Sequence, residues 1–268
     1  MSSPTWVDVA ALAAAGGIAV QPIGATEQHG PHLPLTTDAI IATALADAAR
    51  DVLAARAAAG AAGVPPLWVL PPLAYGTSPE HASFAGTVSL SSTTLRAICL
   101  DVARSVAAAG VRTLVFVNAH GGNPELLHVV AREIRDQTGV LVVVVHGPAL
   151  PLPPELTDAV PRPDIDVHAG FYETSVLLAV DPASVRLPLA APDGVSRTDE
   201  LAAGAFTPLV GPFAAISLPW RTEDVSASGT IGDPTGASAE WGRAALRAQA
   251  DALADVLREI GRLRAEFS

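Results

Sequence analysis

The alternation of two kinds of segment along the chain constrains the fold most strongly. Strand-like apolar runs occur at residues 18–23, 68–70, 113–118 and 141–146, and alanine-rich helical patterns occupy residues 39–58, 95–109, 124–137 and 237–266. Strands joined through helices build parallel sheets, because each helix returns the chain to the same edge. We therefore predict an α/β fold, a three-layer α/β/α sandwich with a mostly parallel central sheet. We expect residues 1–268 to form a single domain, with the Pro-rich residues 147–167 as a loop or lid.

Charge and residue usage exclude several classes of function. The formal net charge is −11 and every basic residue is Arg. Nucleic-acid binding depends on clusters of basic side chains, so we expect no nucleic-acid partner. The absence of Lys excludes Schiff-base catalysis, and the single cysteine, Cys99, excludes an internal disulfide. No charge-free run reaches membrane-spanning length, so we expect a cytoplasmic protein with no membrane partner.

Two carboxylates and two imidazoles lie between residues 27 and 38, directly after the first strand. Neutral His and ionised carboxylate are ligands that Zn²⁺, Mn²⁺ and Fe²⁺ accept. In extended backbone, residues two apart point to the same side, so Glu27 and His29 are the first candidate ligands. Asp38 can return to the same ions after the loop, and we interpret His32 as structural.

Three further polar clusters are candidates for chemistry. His120 follows the strand at 113–118 and precedes two glycines, so it is either a metal ligand or an incidental residue of a glycine turn. His168 and Glu173 precede an apolar run, and the alternatives are a surface-loop histidine and a carboxylate that starts a helix. Residues 75–87, which include Ser78, either line a substrate pocket or form a capped turn. Ligands of open α/β sheets collect at the carboxyl ends of strands, where the segments containing Glu27 and His120 lie.

With these motifs in order, the chain resembles the creatininase family of metal-dependent amidohydrolases. The resemblance is carried by residues 22–34, 118–123 and 168–175, and it spans about nine tenths of the chain. It implies a two-metal centre at the strand ends of an α/β/α domain. The matching positions are ligands in that family, with Asp38 bridging the two ions; they are Glu27, His29, Asp38 and His120.

The chain departs from the creatinine-hydrolysing members at two places. Those members carry a Glu two residues after the histidine of the His120 loop, where this chain has Gly122. The resemblance therefore implies that Glu173 supplies the remaining ligand of the second metal ion. Those members also close their pocket with lid Trp side chains, whereas residues 147–167 contain no Trp. Within the family the chain is most similar to the members that act in the mycofactocin system. These members are peptidases that release a C-terminal dipeptide from a precursor peptide.

The resemblance implies a hydrolase of C–N bonds with two divalent ions per chain, Zn²⁺, Fe²⁺ or Mn²⁺. We expect His168 to be the catalytic acid and base, and Ser78 and the backbone of Gly121 to contact the substrate. The leading hypothesis is a mycofactocin precursor peptide peptidase. The alternatives are a creatinine, formamide or cyclic-amide hydrolase of the same family and, outside enzymes, a structural metal-binding protein. The resemblance also implies a homo-oligomer, a hexamer or larger.

Overall fold

A four-stranded parallel sheet forms the centre of the computed structural model, which describes residues 4–203 and 219–263. The strands are β1 (Ile18–Ile23), β2 (Leu67–Val69), β3 (Thr113–Asn118) and β4 (Leu141–His146), in the order β2-β1-β3-β4. Every pair of neighbours is parallel. The predicted α/β class with a parallel central sheet is confirmed.

Helices cover both faces of this sheet. In chain order they are α1 (Trp6–Ala14), α2 (Thr37–Ala58), α3 (Ser92–Ala108), α4 (Pro124–Thr138), α5 (Pro154–Thr157), α6 (Phe171–Val180), α7 (Val195–Ala203), α8 (Thr222–Val225) and α9 (Ala239–Leu263). Helices α2 and α9 pack on one face, with α6 against both of them, and α3 and α4 pack on the other. The three-layer arrangement is therefore also confirmed. No helix in the described residues is long and apolar enough to cross a membrane.

The two central strands are buried along their whole length. Side chains of β1 alternate between the two cores, with Ile18 and Val20 facing α2 and α9 and Ala19 facing α3 and α4. Both faces of β1 and β3 are covered and both edges are paired, so the sequences are almost continuously apolar. The observed bounds of β1, β3 and β4 are the predicted ones.

Other elements differ from the prediction. Strand β2 lies one residue earlier than the apolar run at 68–70, because its pairing with β1 sets the bounds of this short edge strand. Glu173 lies in the first turn of helix α6, as the alternative of a carboxylate that starts a helix predicted, and the apolar run at 176–180 belongs to this helix, which packs against α2 and α9. Helix α7 lies within residues 190–236, whose several Pro and Gly residues indicate irregular structure, and residues 204–218 of this stretch lie outside the described part. Residues 147–167 hold only a short turn and α5, as their Pro content predicts.

The direction of the chain across the sheet reverses between β1 and β3. The chain moves from β1 to β2 towards one edge and from β3 to β4 towards the other. A crevice opens at the carboxyl ends of strands where the order reverses in this way, and ligands of open α/β sheets bind there. Ile23 pairs with Asn118 at the ends of these two strands, so the segments containing Glu27 and His120 both begin at this crevice.

Candidate metal centre

The turn after β1 brings the first turn of α2 against the end of the strand. A Cβ atom on Gly24 would lie 2.3 Å from the backbone nitrogen of Ala39, so this close packing requires glycine. Asp38 is consequently held in the first turn of α2, with 1% of its surface exposed. The partial positive charge of a helix N-terminus favours a carboxylate there. The backbone N–H of Glu27 donates to the carbonyl of Leu35 and closes the loop that holds Glu27 near Asp38.

Two histidines turn one ring nitrogen towards these carboxylates and the other towards a backbone carbonyl. His120 Nε2 donates to the Thr77 carbonyl at 2.8 Å, and its Nδ1 lies 3.1 Å from Glu27 Oε1 and 3.2 Å from Asp38 Oδ2. His29 Nδ1 donates to the Glu27 carbonyl at 3.1 Å, and its Nε2 lies 2.9 Å from Asp38 Oδ1. A backbone carbonyl only accepts, so it identifies the outer nitrogen as the N–H. Metal-binding histidines are held in this way.

Glu173 reaches the same place from the first turn of α6. Its Oε2 accepts a hydrogen bond of 2.6 Å from the Ala169 N–H and lies 3.9 Å from His29 Nε2. That hydrogen bond holds Ala169 in the left-handed region, with φ of 52°. The five predicted ligands thus form two overlapping groups that share Asp38, in each of which one ligand atom per residue lies within 4.8 Å of the others. The groups are Glu27, Asp38 and His120, and His29, Asp38 and Glu173.

Unpaired buried carboxylate oxygens indicate that this cluster suits a cation. Both oxygens of Glu27 and Oδ2 of Asp38 are buried and accept no hydrogen bond of normal geometry from a described residue, and the nitrogen that faces Glu27 Oε1 and Asp38 Oδ2 is His120 Nδ1. A buried carboxylate without a partner is costly, and a divalent ion would compensate it. The donor set of carboxylate oxygens and imidazole nitrogens therefore fits a divalent metal.

Burial and the charges of neighbouring groups shift the pKa values of the residues in this cluster. Burial lowers the pKa of His29, but Asp38 and Glu173 outweigh it and raise that pKa to about 10. Burial likewise opposes a charged His120, yet Glu27 and Asp38 hold its pKa well above the usual value. Burial, together with the charge of Asp38, raises the pKa of Glu173 to about 7. The carboxylates thus draw protons onto the two histidines, and a divalent cation would replace those protons.

His168 lies beside the cluster and stacks between two other imidazoles. Its Nε2 donates to the Gln28 carbonyl at 2.6 Å, and its Nδ1 lies 3.8 Å from Glu27 Oε1. The ring centroids of His29 and His81 each lie 4.2 Å from that of His168. Burial, and then the positive charge of protonated His29, lower the pKa of His168 well below the usual value. His168 is therefore neutral, with Nδ1 able to accept a proton.

The two predicted substrate contacts lie in different surroundings. The hydroxyl of Ser78 is buried and lies 3.3 Å from His120 Nε2, on the side of that ring away from Glu27 and Asp38. Gly121 is exposed, with open space where a side chain would begin. Gly122 is tightly enclosed, because a Cβ atom there would lie 2.4 Å from the Thr77 carbonyl and 2.8 Å from Glu80 Oε1. This backbone therefore has no room for a glutamate side chain at position 122.

Sequence reasoning left several residues of the site without a role. A cleft of about 260 Å³ opens beside His168 and Glu173, and its walls include residues of the 147–167 segment and Trp241 of α9. Trp241 Nε1 donates to the Leu156 carbonyl at 3.0 Å and ties that segment to α9. The only feature of the sequence that could have indicated a role for Trp241 is its place at the start of an amphipathic helix. His81 and Glu80 also face Glu27, and burial lowers the pKa of His81 to about 4.

Fold and site together define a class of protein. The crevice at the switch point of this parallel α/β/α sheet holds overlapping groups of carboxylates and histidines, and a cleft opens beside them. This is the arrangement of a metal-dependent hydrolase. The family model described as creatininase, creatinine amidohydrolase, matches residues 2–257. The chain belongs to the creatininase family, whose members hydrolyse C–N bonds.

Relatives and solved structures agree with this membership. A mycofactocin precursor peptide peptidase of Mycobacterium ulcerans is 40% identical over 223 residues, which cover 83% of this chain and 77% of that protein. A creatinine amidohydrolase of Pseudomonas putida is 29% identical and covers 95% of this chain and 94% of that protein. The zinc-zinc form of a creatininase variant has a TM-score of 0.75 at 26% identity, covering 97% of this chain and 98% of that one. The manganese form of creatininase has a TM-score of 0.74 at 27% identity, covering 96% of each chain.

Proposed function

We propose that this protein is a two-metal peptidase that releases a C-terminal dipeptide from the mycofactocin precursor peptide. The observation that carries the proposal is the pair of ligand groups sharing Asp38 beside an open cleft. The higher identity to the mycofactocin peptidase than to the creatinine amidohydrolase supports a peptide substrate. The lack of room for a side chain at Gly122 agrees with a departure from the creatinine-hydrolysing members.

The proposed ligands divide between two ions. Glu27, Asp38 and His120 would hold one ion, and His29, Asp38 and Glu173 would hold the other. When bound, divalent ions of this kind lower the pKa of a water and polarise the amide carbonyl. Zn²⁺, Mn²⁺ and Fe²⁺ all suit these ligands.

His168 is the proposed acid and base. Its neutral ring presents Nδ1 to the site while the Gln28 carbonyl holds Nε2, so Nδ1 can take a proton from the attacking water. The water oxygen bonds to the carbonyl carbon, the C–N bond breaks, and the proton passes from Nδ1 to the leaving nitrogen. We propose that the backbone N–H of Gly121 contacts the substrate oxygen. Ser78 would contact the substrate only after its hydroxyl turns away from His120.

The cleft favours an extended substrate. It runs from exposed residues of the 147–167 segment, such as Thr157 and Pro163, to buried His168. An open cleft accepts a chain that continues into solvent, whereas a small cyclic amide is better held in an enclosed pocket. We propose that residues 147–167 act as a lid on this cleft within a single domain, and that the protein works in the cytoplasm as a homo-oligomer, a hexamer or larger.

The experiment is a comparison of three substrates with protein loaded separately with zinc, manganese or iron. We expect mass spectrometry to show the precursor peptide shortened by its C-terminal dipeptide, with one ¹⁸O atom from labelled water in the new carboxylate. Creatinine and formamide should remain intact. Conversion of creatinine instead of the peptide would support the small-amide alternative. Two bound ions with no turnover of any substrate would support a structural metal site.

A further inference from the structure

We propose that His81 is a catalytic hydrogen-bond donor of this site, whose inward-facing N–H is set by Gln28. The inference rests on the proposed amide hydrolysis and adds a residue to it. His29, His120 and His168 all hold their N–H outward on a backbone carbonyl and turn the other ring nitrogen towards the carboxylates. His81 is arranged in the opposite sense.

The amide of Gln28 decides the tautomer of His81. Gln28 Oε1 accepts a hydrogen bond of 2.9 Å from the Gly30 N–H, and its Nε2 donates to the Gly229 carbonyl at 3.2 Å. These two partners orient the amide, so the group that lies 2.8 Å from His81 Nδ1 is the NH₂. An amide NH₂ only donates, so Nδ1 must accept and the ring proton must reside on Nε2.

A second neighbour of Nδ1 permits this tautomer without requiring it. The Thr222 hydroxyl lies 2.6 Å from His81 Nδ1 and 2.9 Å from the Glu80 carbonyl. The hydroxyl has one proton and can rotate: it donates to Nδ1 if the ring proton is on Nε2, and it accepts from Nδ1 while donating to the Glu80 carbonyl if the ring proton is on Nδ1. The Gln28 amide cannot turn in this way, because both of its ends are held. The choice therefore depends on Gln28.

The N–H of His81 points at the place where reaction is proposed to occur. Nε2 lies 3.5 Å from Glu27 Oε1 and makes no hydrogen bond to any described residue. His81 stacks on His168, with the ring planes 26° apart, and Nδ1 of His168 lies 3.8 Å from the same carboxylate oxygen. A ring nitrogen that accepts and a ring nitrogen that donates thus lie side by side over Glu27.

This pairing supplies both hydrogen-bonding functions of amide hydrolysis. As the water oxygen bonds to the carbonyl carbon, the electron pair of the C=O bond moves onto the carbonyl oxygen. A hydrogen bond from His81 Nε2–H stabilises that charge without transferring its proton. When the pair returns, the C–N bond breaks and the amine takes the proton that His168 accepted from the water. Loss of one preorganised donor of this kind lowers kcat by about 10²- to 10³-fold.

Nuclear magnetic resonance tests the tautomer independently of activity. In ¹⁵N-labelled, zinc-loaded protein we expect His81 to carry its proton on Nε2, both in the wild type and in Thr222→Val, where Gln28 remains. In Gln28→Glu an acceptor replaces the donor, so Nδ1 should gain a proton. A proton on Nδ1 in the wild type, or a bare Nδ1 in Gln28→Glu, would overturn the inference.

Two substitutions at His81 test the donor in catalysis. The amide nitrogen of Gln can take the place of Nε2, whereas that of Asn takes the place of Nδ1. With bound zinc and the circular dichroism spectrum unchanged, His81→Asn should lower kcat for the precursor peptide by about 10²-fold and His81→Gln by about 10-fold or less. Equal kcat values for the two variants would overturn the role. Loss of zinc from His81→Asn would instead identify His81 as a support for Glu27 and overturn it too. A wild type that cleaves no peptide defeats the proposed function, whereas the tautomer is still decided by the resonance measurement.

Discussion

Replacing Glu173 with Gln should change the stability of the protein in opposite directions with and without metal. The carboxylate of Glu173 has 14% of its side chain exposed and lies in one of the two ligand groups. Burial, together with the charge of Asp38, raises its pKa to about 7. Gln has the same size and keeps an oxygen for the Ala169 N–H, but it carries no charge.

The magnitude in the metal-free protein follows from the pKa. The folded-state pKa of about 7 lies above the ordinary value of 4.5, so the contribution of Glu173 to stability is fully present below pH 4.5 and is lost as the pH rises through 7. Each pH unit in that window removes about 1.4 kcal/mol, and the loss by pH 8 is about 3 kcal/mol. The Gln variant has no such loss. Its free energy of unfolding relative to the wild type should therefore increase by about 3 kcal/mol between pH 4.5 and pH 8.

In the presence of zinc the wild type should instead be more stable than the Gln variant. An ion at a hundred times its dissociation constant stabilises the folded protein by about 2.7 kcal/mol per site, and the variant lacks one carboxylate ligand of the group with His29 and Asp38. The assay is urea unfolding followed by circular dichroism at both pH values, in EDTA and in zinc. Mass spectrometry of the metal content should show two ions per wild-type chain and one per variant chain.

Asp166→Asn is the matched control. Asp166 accepts hydrogen bonds from the Phe171 and Tyr172 N–H groups at 2.7 and 2.9 Å, at the start of the helix that carries Glu173. Burial raises its pKa to about 6, but it belongs to neither ligand group. Its effect on stability should vary with pH and be the same in zinc and in EDTA. The reasoning would be refuted by a Glu173→Gln variant that keeps two ions. It would also be refuted if the difference in unfolding free energy between variant and wild type were the same in zinc and in EDTA.

Four further substitutions probe the site and its packing. Asp38→Asn should reduce bound metal to less than one ion per chain, because Asp38 belongs to both groups, and retention of two ions would contradict the shared role. His168→Ala should keep its metals and lose about 10²- to 10⁴-fold in turnover, whereas unchanged turnover or lost metal would reject the acid and base role. Gly122→Ala should destabilise the fold by about 1–3 kcal/mol, since its Cβ would meet a backbone carbonyl at 2.4 Å. Gly121→Ala, in open space, should stay within about 0.5 kcal/mol of the wild type in urea unfolding, and equal effects of the two alanines would contradict the packing argument.

The sheet was largely predictable because its strands are apolar and locally distinct. The bounds of β1, β3 and β4 coincide with apolar runs, since strands covered on both faces need apolar residues throughout. A helix starting near Glu173 was only one alternative for the sequence, because the apolar run at 176–180 suits a buried strand as well as a buried helix. Its contacts with α2 and α9 decide between them.

The site was predictable to the extent that it follows strand ends. Glu27 and His120 each come directly after a central strand, and parallel strands end at the same edge of the sheet. Trp241 does not follow a strand end, so its place in the site could not be predicted from the sequence. It reaches the cleft because α9 packs beside α6, and no local pattern in the sequence records that contact.

The amino-acid sequence by itself determined the order of strands and helices and which carboxylates and imidazoles stand near strand ends, because periodicity and residue type are local properties. The tertiary structure alone decided that Asp38 lies in two candidate ligand groups and that Gly122 has no room for a side chain. It also decided which ring nitrogen of each histidine is held by other segments: Nδ1 of His81 lies against Gln28 and Thr222, whereas Nε2 of His168 lies on the Gln28 carbonyl. The physical reason is that hydrogen bonds between distant segments choose the tautomer of a histidine, and the residue type is the same in both forms.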